Sequence, residues 1–201
     1  VRQLVRDSGF PGMKVLQFAF DSRDTGSARD YLPHNYTENA VVYTGTHDND
    51  TTIGWFEAVS DDDWTLAREY LSDFYTPDEE MDQPFVALAL QSIARMCIIP
   101  MQDWLGLDNK ARINFPSTVG TNWRWRLKPG QVTEELGKEI LEQIDGVYFD
   151  YKILITMLQR NNTDRNYCER IQKMYGDEHV FKSRIRFQAK PVKDAGFQSG
   201  I

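Results

Sequence analysis

Three apolar residues in succession, Val41, Val42 and Tyr43, stop at a polar run, Thr44-Gly45-Thr46-His47-Asp48-Asn49-Asp50-Thr51-Thr52. A β-branched and aromatic block that ends so abruptly predicts a strand covered on both faces, as in a parallel sheet, with a functional loop at its carboxyl end. Gly45 allows that loop a backbone conformation that side chains forbid. A second strand is expected from Met13 to Phe20, after the turn residues Ser8-Gly9-Phe10-Pro11-Gly12, and Asp21 to Asp30 reads as loop. The period then changes. Trp64, Ala67, Leu71 and Phe74 recur at helical spacing behind Ser60-Asp61-Asp62-Asp63, which offers an N-cap acceptor and negative charge in the first turn. Thr76-Pro77-Asp78 breaks that helix. Phe85 to Ala94 reads as a second helix with Leu88, Leu90 and Ile93 in its core, and Met96 to Met101 as another buried strand. Strand, helix, strand in this order predicts a parallel α/β layout.

Residues 106 to 130 are loop-rich. Thr133 can cap a last helix in which Leu136, Ile140, Leu141 and Ile144 form one face. The texture changes from Gly146 onward, and residues 160 to 194 hold nine Lys or Arg against five Asp or Glu. In that stretch Phe181, Ser183, Ile185 and Phe187 alternate with Lys182, Arg184 and Arg186, the pattern of a strand with one basic, solvated face. The expected organisation is therefore one unit over residues 1–145 and an unassigned tail over 146–201.

Hydrophobic residues at 41% and charged residues at 26% in a 201-residue chain are ordinary for a soluble globular protein. The net charge of −7 excludes a dedicated nucleic-acid binder, because phosphate neutralisation needs a basic surface. Cys97 and Cys168 form neither a zinc spacing nor a disulfide framework, which suits a reducing, cytoplasmic setting. No run reaches the roughly 18 apolar residues of a membrane span, so no membrane is expected as a partner. The chain opens at Val1, inside what reads as the end of a helix, and a fragment is expected.

Crowded charge at the carboxyl end of a strand is where α/β enzymes place their sites. His47, Asp48 and Asp50 are crowded in this way, and a His-Asp pair is otherwise a turn-stabilising hydrogen bond. Here the sequence becomes recognisable. Tyr43 to Thr51 resembles the signature of the 4-alpha-glucanotransferases, the amylomaltase or disproportionating-enzyme family of retaining, glycoside-active TIM barrels. Further segments agree in order: Phe10-Pro11-Gly12-Met13-Lys14-Val15-Leu16-Gln17-Phe18-Ala19-Phe20 and Tyr31-Leu32-Pro33-His34-Asn35-Tyr36 before it, then Gln102-Asp103-Trp104-Leu105-Gly106-Leu107 and Asn122-Trp123-Arg124-Trp125-Arg126 after it. The resemblance covers residues 1 to 144 and implies the carboxyl-terminal part of a TIM (β/α)8 barrel, its last three strands, with an unmatched tail.

The resemblance also implies roles. Asp48 matches the family's third catalytic carboxylate, which hydrogen-bonds sugar hydroxyls and stabilises the distorted ring, and His47 matches a sugar-contacting histidine. His34 is a candidate sugar contact or a loop histidine that binds backbone. Arg112, Asn114 and Pro116 lie where the family has Arg-Met-Asn-x-Pro-Gly, with Asn114 approaching glucan and Ser117 standing at the glycine position. The family's nucleophile and acid/base lie on Arg-x-Asp-His and Glu-Asp-Leu-Gly motifs, and neither occurs in these 201 residues. The implied substrates are malto-oligosaccharides or alpha-1,4-glucans, with no metal and no organic cofactor. Trp55, Trp104, Trp123 and Trp125 read either as sugar platforms or as core, with Trp123 and Trp125 packing the barrel wall. The rival readings are a truncated, non-catalytic glucan-binding remnant and a protein-binding module formed by the tail.

Overall fold

A computed structural model describes residues 2–24, 26–120, 122–145, 162–180 and 182. Three strands, β1 (Gly12–Val15), β2 (Ala40–Tyr43) and β3 (Met96–Ile98), pair in parallel in the order β1-β2-β3. Met13, Val41 and Met96 form one lateral row and Val15, Tyr43 and Ile98 the next. The alternate positions Ala40, Val42 and Cys97 face the core, where Leu16, Phe20, Phe56, Met81 and Phe85 gather. Phe20 meets the rings of Tyr70 and Phe85 at 5.8 and 5.7 Å. The opposite face is only partly covered: Val15 is fully buried there, whereas Met13 is 58% and Met96 52% exposed.

The expected buried strand at the centre is therefore half right, since Val42 is fully buried while Val41 and Tyr43 are only partly covered. The first strand ends at Val15 rather than Phe20. Leu16–Phe20 is a 3-10 turn in which Leu16, Gln17, Ala19 and Phe20 are all buried, a sequence of inward positions that an alternating strand cannot present. The third strand is likewise shorter and less buried than expected, with Met96 and Ile98 exposed. It ends ahead of Pro100, whose nitrogen has no hydrogen to donate, and Met101 already opens α5 (Met101–Trp104).

Helix α1 spans Arg2–Ser8, α2 Thr52–Ala58, α3 Asp61–Leu71 and α4 Asp82–Leu90. The Ser60 side chain accepts the Asp63 N–H, as the cap signal predicts. Helix α3 stops at Leu71 because Ser72 adopts a left-handed conformation, so Phe74 falls outside it and is exposed. Helix α4 starts before the expected Phe85, since Pro84 sits in the first turn where its missing N–H is harmless, and Ile93 beyond its end is exposed rather than core.

The chain divides into two units, Val1–Gln131 and Val132–Ile201. In the second, Thr133 Oγ1 accepts the Leu136 N–H at the start of α6 (Glu134–Asp145). Ile140 is buried on that helix, whereas Leu141 is exposed. Helix α6 packs on α7 (Asn162–Tyr175), an unexpected element, although Tyr167, Cys168, Ile171, Met174 and Tyr175 recur at helical spacing. The expected strand over Phe181 to Phe187 lies outside the described residues, Lys182 excepted. Among the described residues no helix is long and apolar enough to cross a membrane.

Candidate active site

Strand β2 delivers its loop through two buried anchors. Thr44, fully buried, donates its hydroxyl to Asp103 Oδ2 at 2.5 Å, and Asp103 Oδ1 accepts the Thr52 N–H at 2.8 Å. One carboxylate of α5 thus ties the end of β2 to the start of α2. Burial pushes the Asp103 carboxyl up, and the bonds from Thr44 and Thr52 oppose that shift. The second anchor is Gln17, whose Nε2 donates to the Asp50 carbonyl at 2.9 Å. This explains Gly45: a Cβ there would lie 2.9 Å from Gln17 Nε2 and 3.2 Å from the Asp50 oxygen. The glycine provides room, whereas the expectation was conformational freedom.

Between the anchors the loop closes on itself. Asn49 Oδ1 accepts from the Thr46 N–H at 3.0 Å and from the Thr46 hydroxyl at 2.6 Å. Thr51 caps α2 by accepting the Gly54 N–H at 3.2 Å. This turn holds His47 and Asp48 outward with side chains 51% and 52% exposed and His47 Nε2 3.3 Å from Asp48 Oδ2. Asn114 Nδ2 donates to Asp48 Oδ1 at 2.5 Å. Arg112 pairs with the Asp50 carboxylate and donates from Nη2 to the Asp48 carbonyl at 2.6 Å. Asp48 and Asp50 border a cleft of about 410 Å³ whose aromatic walls include Phe18, Tyr31 and Trp55. Carboxylates beside apolar rings suit a ligand rich in hydroxyls with apolar faces.

A family model for 4-alpha-glucanotransferase matches residues 1–133. The chain belongs to the 4-alpha-glucanotransferase family. It is 43% identical over 137 residues to the 4-alpha-glucanotransferase of Thermus thermophilus, covering 66% of this chain and 27% of that one. It is 47% identical over 134 residues to the enzyme of that name from Clostridium butyricum, covering 66% and 26%. Among solved structures, an amylomaltase from Streptococcus agalactiae in complex with acarbose aligns with a TM-score of 0.62 and 35% identity, over 71% of this chain and 28% of that one. The chain thus spans about a quarter of the length of the curated relatives it matches.

Of the residues singled out on glucanotransferase resemblance, the structure brings together Asp48, His47 and Asn114. His34 stands elsewhere, its Nδ1 3.0 Å from the Tyr70 hydroxyl on α3 and its ring stacked on that phenol at 5.7 Å. Trp123 corrects the expectation for the tryptophans. Instead of packing a wall, it is 38% exposed with its ring 5.1 Å from that of His47. Its φ of 65° is unusual for a bulky side chain, and its N–H is held by the Ile113 carbonyl at 2.7 Å. Ser117, at the family's glycine position, keeps a glycine-like φ of 65°. Gln17 and Asp103 were not expected at the site. Their place at the carboxyl ends of β1 and β3, within segments that match the family, is the signal that points to them.

Proposed function

We propose that this chain is the carboxyl-terminal part of a cytoplasmic 4-alpha-glucanotransferase, which moves alpha-1,4-glucan segments between malto-oligosaccharides by a retaining mechanism. In that reading β1, β2 and β3 are the last strands of a (β/α)8 barrel, and the loop after β2 lies on its catalytic face. Retention requires a nucleophilic carboxylate and a general acid about 5 to 5.5 Å apart. The motifs that carry both in the family lie upstream of the segment matched here, so this chain supplies the third carboxylate.

The observation that carries the reading is the convergence of His47 and Asn114 on Asp48, with the Trp123 ring lying against that of His47. A carboxylate has about four lone-pair sites, and the Asn114 N–H and the His47 ring engage only part of them. The rest can accept from two sugar hydroxyls. Those bonds strengthen as the ring flattens and positive charge develops at the anomeric carbon, so they lower the barrier more than they tighten ground-state binding. Asn114 and His47 orient Asp48 and contact the same sugar, while the exposed Trp123 ring offers a platform for a pyranose face. Any contact from His34 would be to a glucose unit beyond this cluster.

The test joins these residues to the remaining barrel and supplies maltotriose. The joined protein should release glucose and longer oligomers, and the 201-residue chain alone should release neither. Turnover by the isolated chain at the ordinary enzymatic rate of about ten per second would overturn the division of catalytic groups. Inactivity of both would favour the remnant reading.

A further inference from the structure

We infer that Arg112 is a positioning residue for Asp48, which clamps the catalytic loop and keeps positive charge away from the Asp48 carboxylate. The inference rests on the role proposed for Asp48 and concerns how that role is maintained.

The guanidinium is a planar fork of five N–H donors, and its three nitrogens here reach in three directions. Nη1 pairs with the Asp50 carboxylate, Nη2 donates to the Asp48 carbonyl at 2.6 Å, and Nε donates to the Asn114 carbonyl at 2.9 Å. The Phe115 ring lies 4.7 Å from its central carbon, and the side chain is only 15% exposed. Two loops, 62 residues apart in sequence at Asp50 and Arg112, are thereby joined at one point.

The distribution of partners matters as much as their number. The fixed cation meets Asp48 at its backbone, and its charge is answered by Asp50. The Asp48 carboxylate itself receives the neutral amide of Asn114 and the imidazole of His47. Its negative charge therefore stays directed at the cleft, where a developing oxocarbenium ion would meet it. A guanidinium on that carboxylate would instead neutralise it, and a lysine could not serve three acceptors in a plane from one nitrogen. Arg112 also lines the cleft, but its Nε, Nη1 and Nη2 each have a protein acceptor, and loss of a direct sugar contact would raise KM where loss of positioning lowers kcat.

The test uses the complete enzyme that contains these residues, with Arg112→Met, Arg112→Lys, Asp50→Asn and the double variant Arg112→Met with Asp50→Asn. Maltotriose kinetics, thermal midpoint and amide hydrogen exchange at residues 46–50 are recorded for each. Arg112→Met should lower kcat about tenfold or more, since a small misplacement of a catalytic group is enough for that, with KM within about twofold. Arg112→Lys should recover little. The double variant should be no slower than Arg112→Met alone, the mark of two groups acting through one contact. Exchange at 46–50 should accelerate while the thermal midpoint stays close to that of the parent. A raised KM with unchanged kcat, or losses that multiply in the double variant, would overturn the inference. A parent enzyme that fails to disproportionate maltotriose would count against the proposed function instead. The clamp would then stand or fall on hydrogen exchange, and unchanged exchange in Arg112→Met would refute it.

Discussion

At the scale of single residues, the charge of Asp48 and the conformation of Ser117 lead to separate expectations. Asp48→Asn keeps shape and removes charge from the carboxylate for which the transition-state role is proposed. In the complete enzyme it should reduce turnover at least about a hundredfold, roughly 2.7 kcal/mol of barrier, with a much smaller change in KM. Asp50→Asn should do less harm, because Asp50 orders the loop through Arg112 and its own carbonyl still holds Gln17. Steady-state kinetics on the two variants check this, and the reverse order would move the catalytic assignment. Ser117 keeps a left-handed φ without being glycine. Ser117→Gly should therefore raise stability by up to about 1 kcal/mol, read as a shift in the urea midpoint. The sequence singles out Asp48, His47 and Asn114 because they fall within contiguous motifs, and the structure shows the three in contact. It leaves the duties of Gln17 and Arg112 hidden, because their partner Asp50 lies 33 and 62 residues away and no local pattern encodes such a pairing.

Among the elements, Asp103 is the carboxyl group that joins β2 to α2, and its titration has a definite sign. Its native pKa is raised above the ordinary value of 3.8 by burial. The native state then holds its proton more tightly than the unfolded chain, so the stabilising contribution is complete below that value and is lost as pH rises through the raised one. Relative to Asp103→Asn, the complete protein should lose unfolding free energy as pH climbs out of the acid range, measured by urea titration at a series of pH values. Burial raises the neighbouring Asp82 carboxyl in the same direction, and its charge adds to the rise at Asp103. Helix α3 was readable because Ser60 and the three aspartates mark its start. Its end was not, since nothing short of the backbone shows Ser72 turning left-handed. The turn Leu16–Phe20 was misread as strand for a related reason: an apolar run has the same composition whether it is buried in a strand or a tight helix. Helix α7 carries Tyr167, Cys168, Ile171, Met174 and Tyr175 at helical spacing, a periodic signal that the polar and basic composition of the tail overshadows.

For the whole molecule, the three-stranded sheet has one face packed and one only partly covered. Met13, Met96 and Ile98 lie on the latter, 58%, 52% and 41% exposed, and among the described residues neither outer strand pairs with a further strand. Such a surface promotes self-association. The 201-residue chain alone should elute from gel filtration as a mixture of oligomers, and replacing Met13 with Lys and Met96 with Glu should shift it toward the monomer. A cooperative, monomeric parent would show that the face is covered.

The anchors of the loop after β2 also have a history in time. Gln17 reaches Asp50 across 33 residues, Thr44 reaches Asp103 across 59, and Arg112 reaches Asp50 across 62. Each contact closes a long loop, and the entropy of closure is lost before the contact returns anything. Helices with local bonds can form early, but the loop can be set only after the crossovers on either side of β2 have folded back. The expected outcome is that weakening these contacts speeds unfolding more than it slows folding, read from the two arms of a denaturant chevron. That result would make the loop that holds Asp48 a late part of this unit to be fixed and an early one to be released.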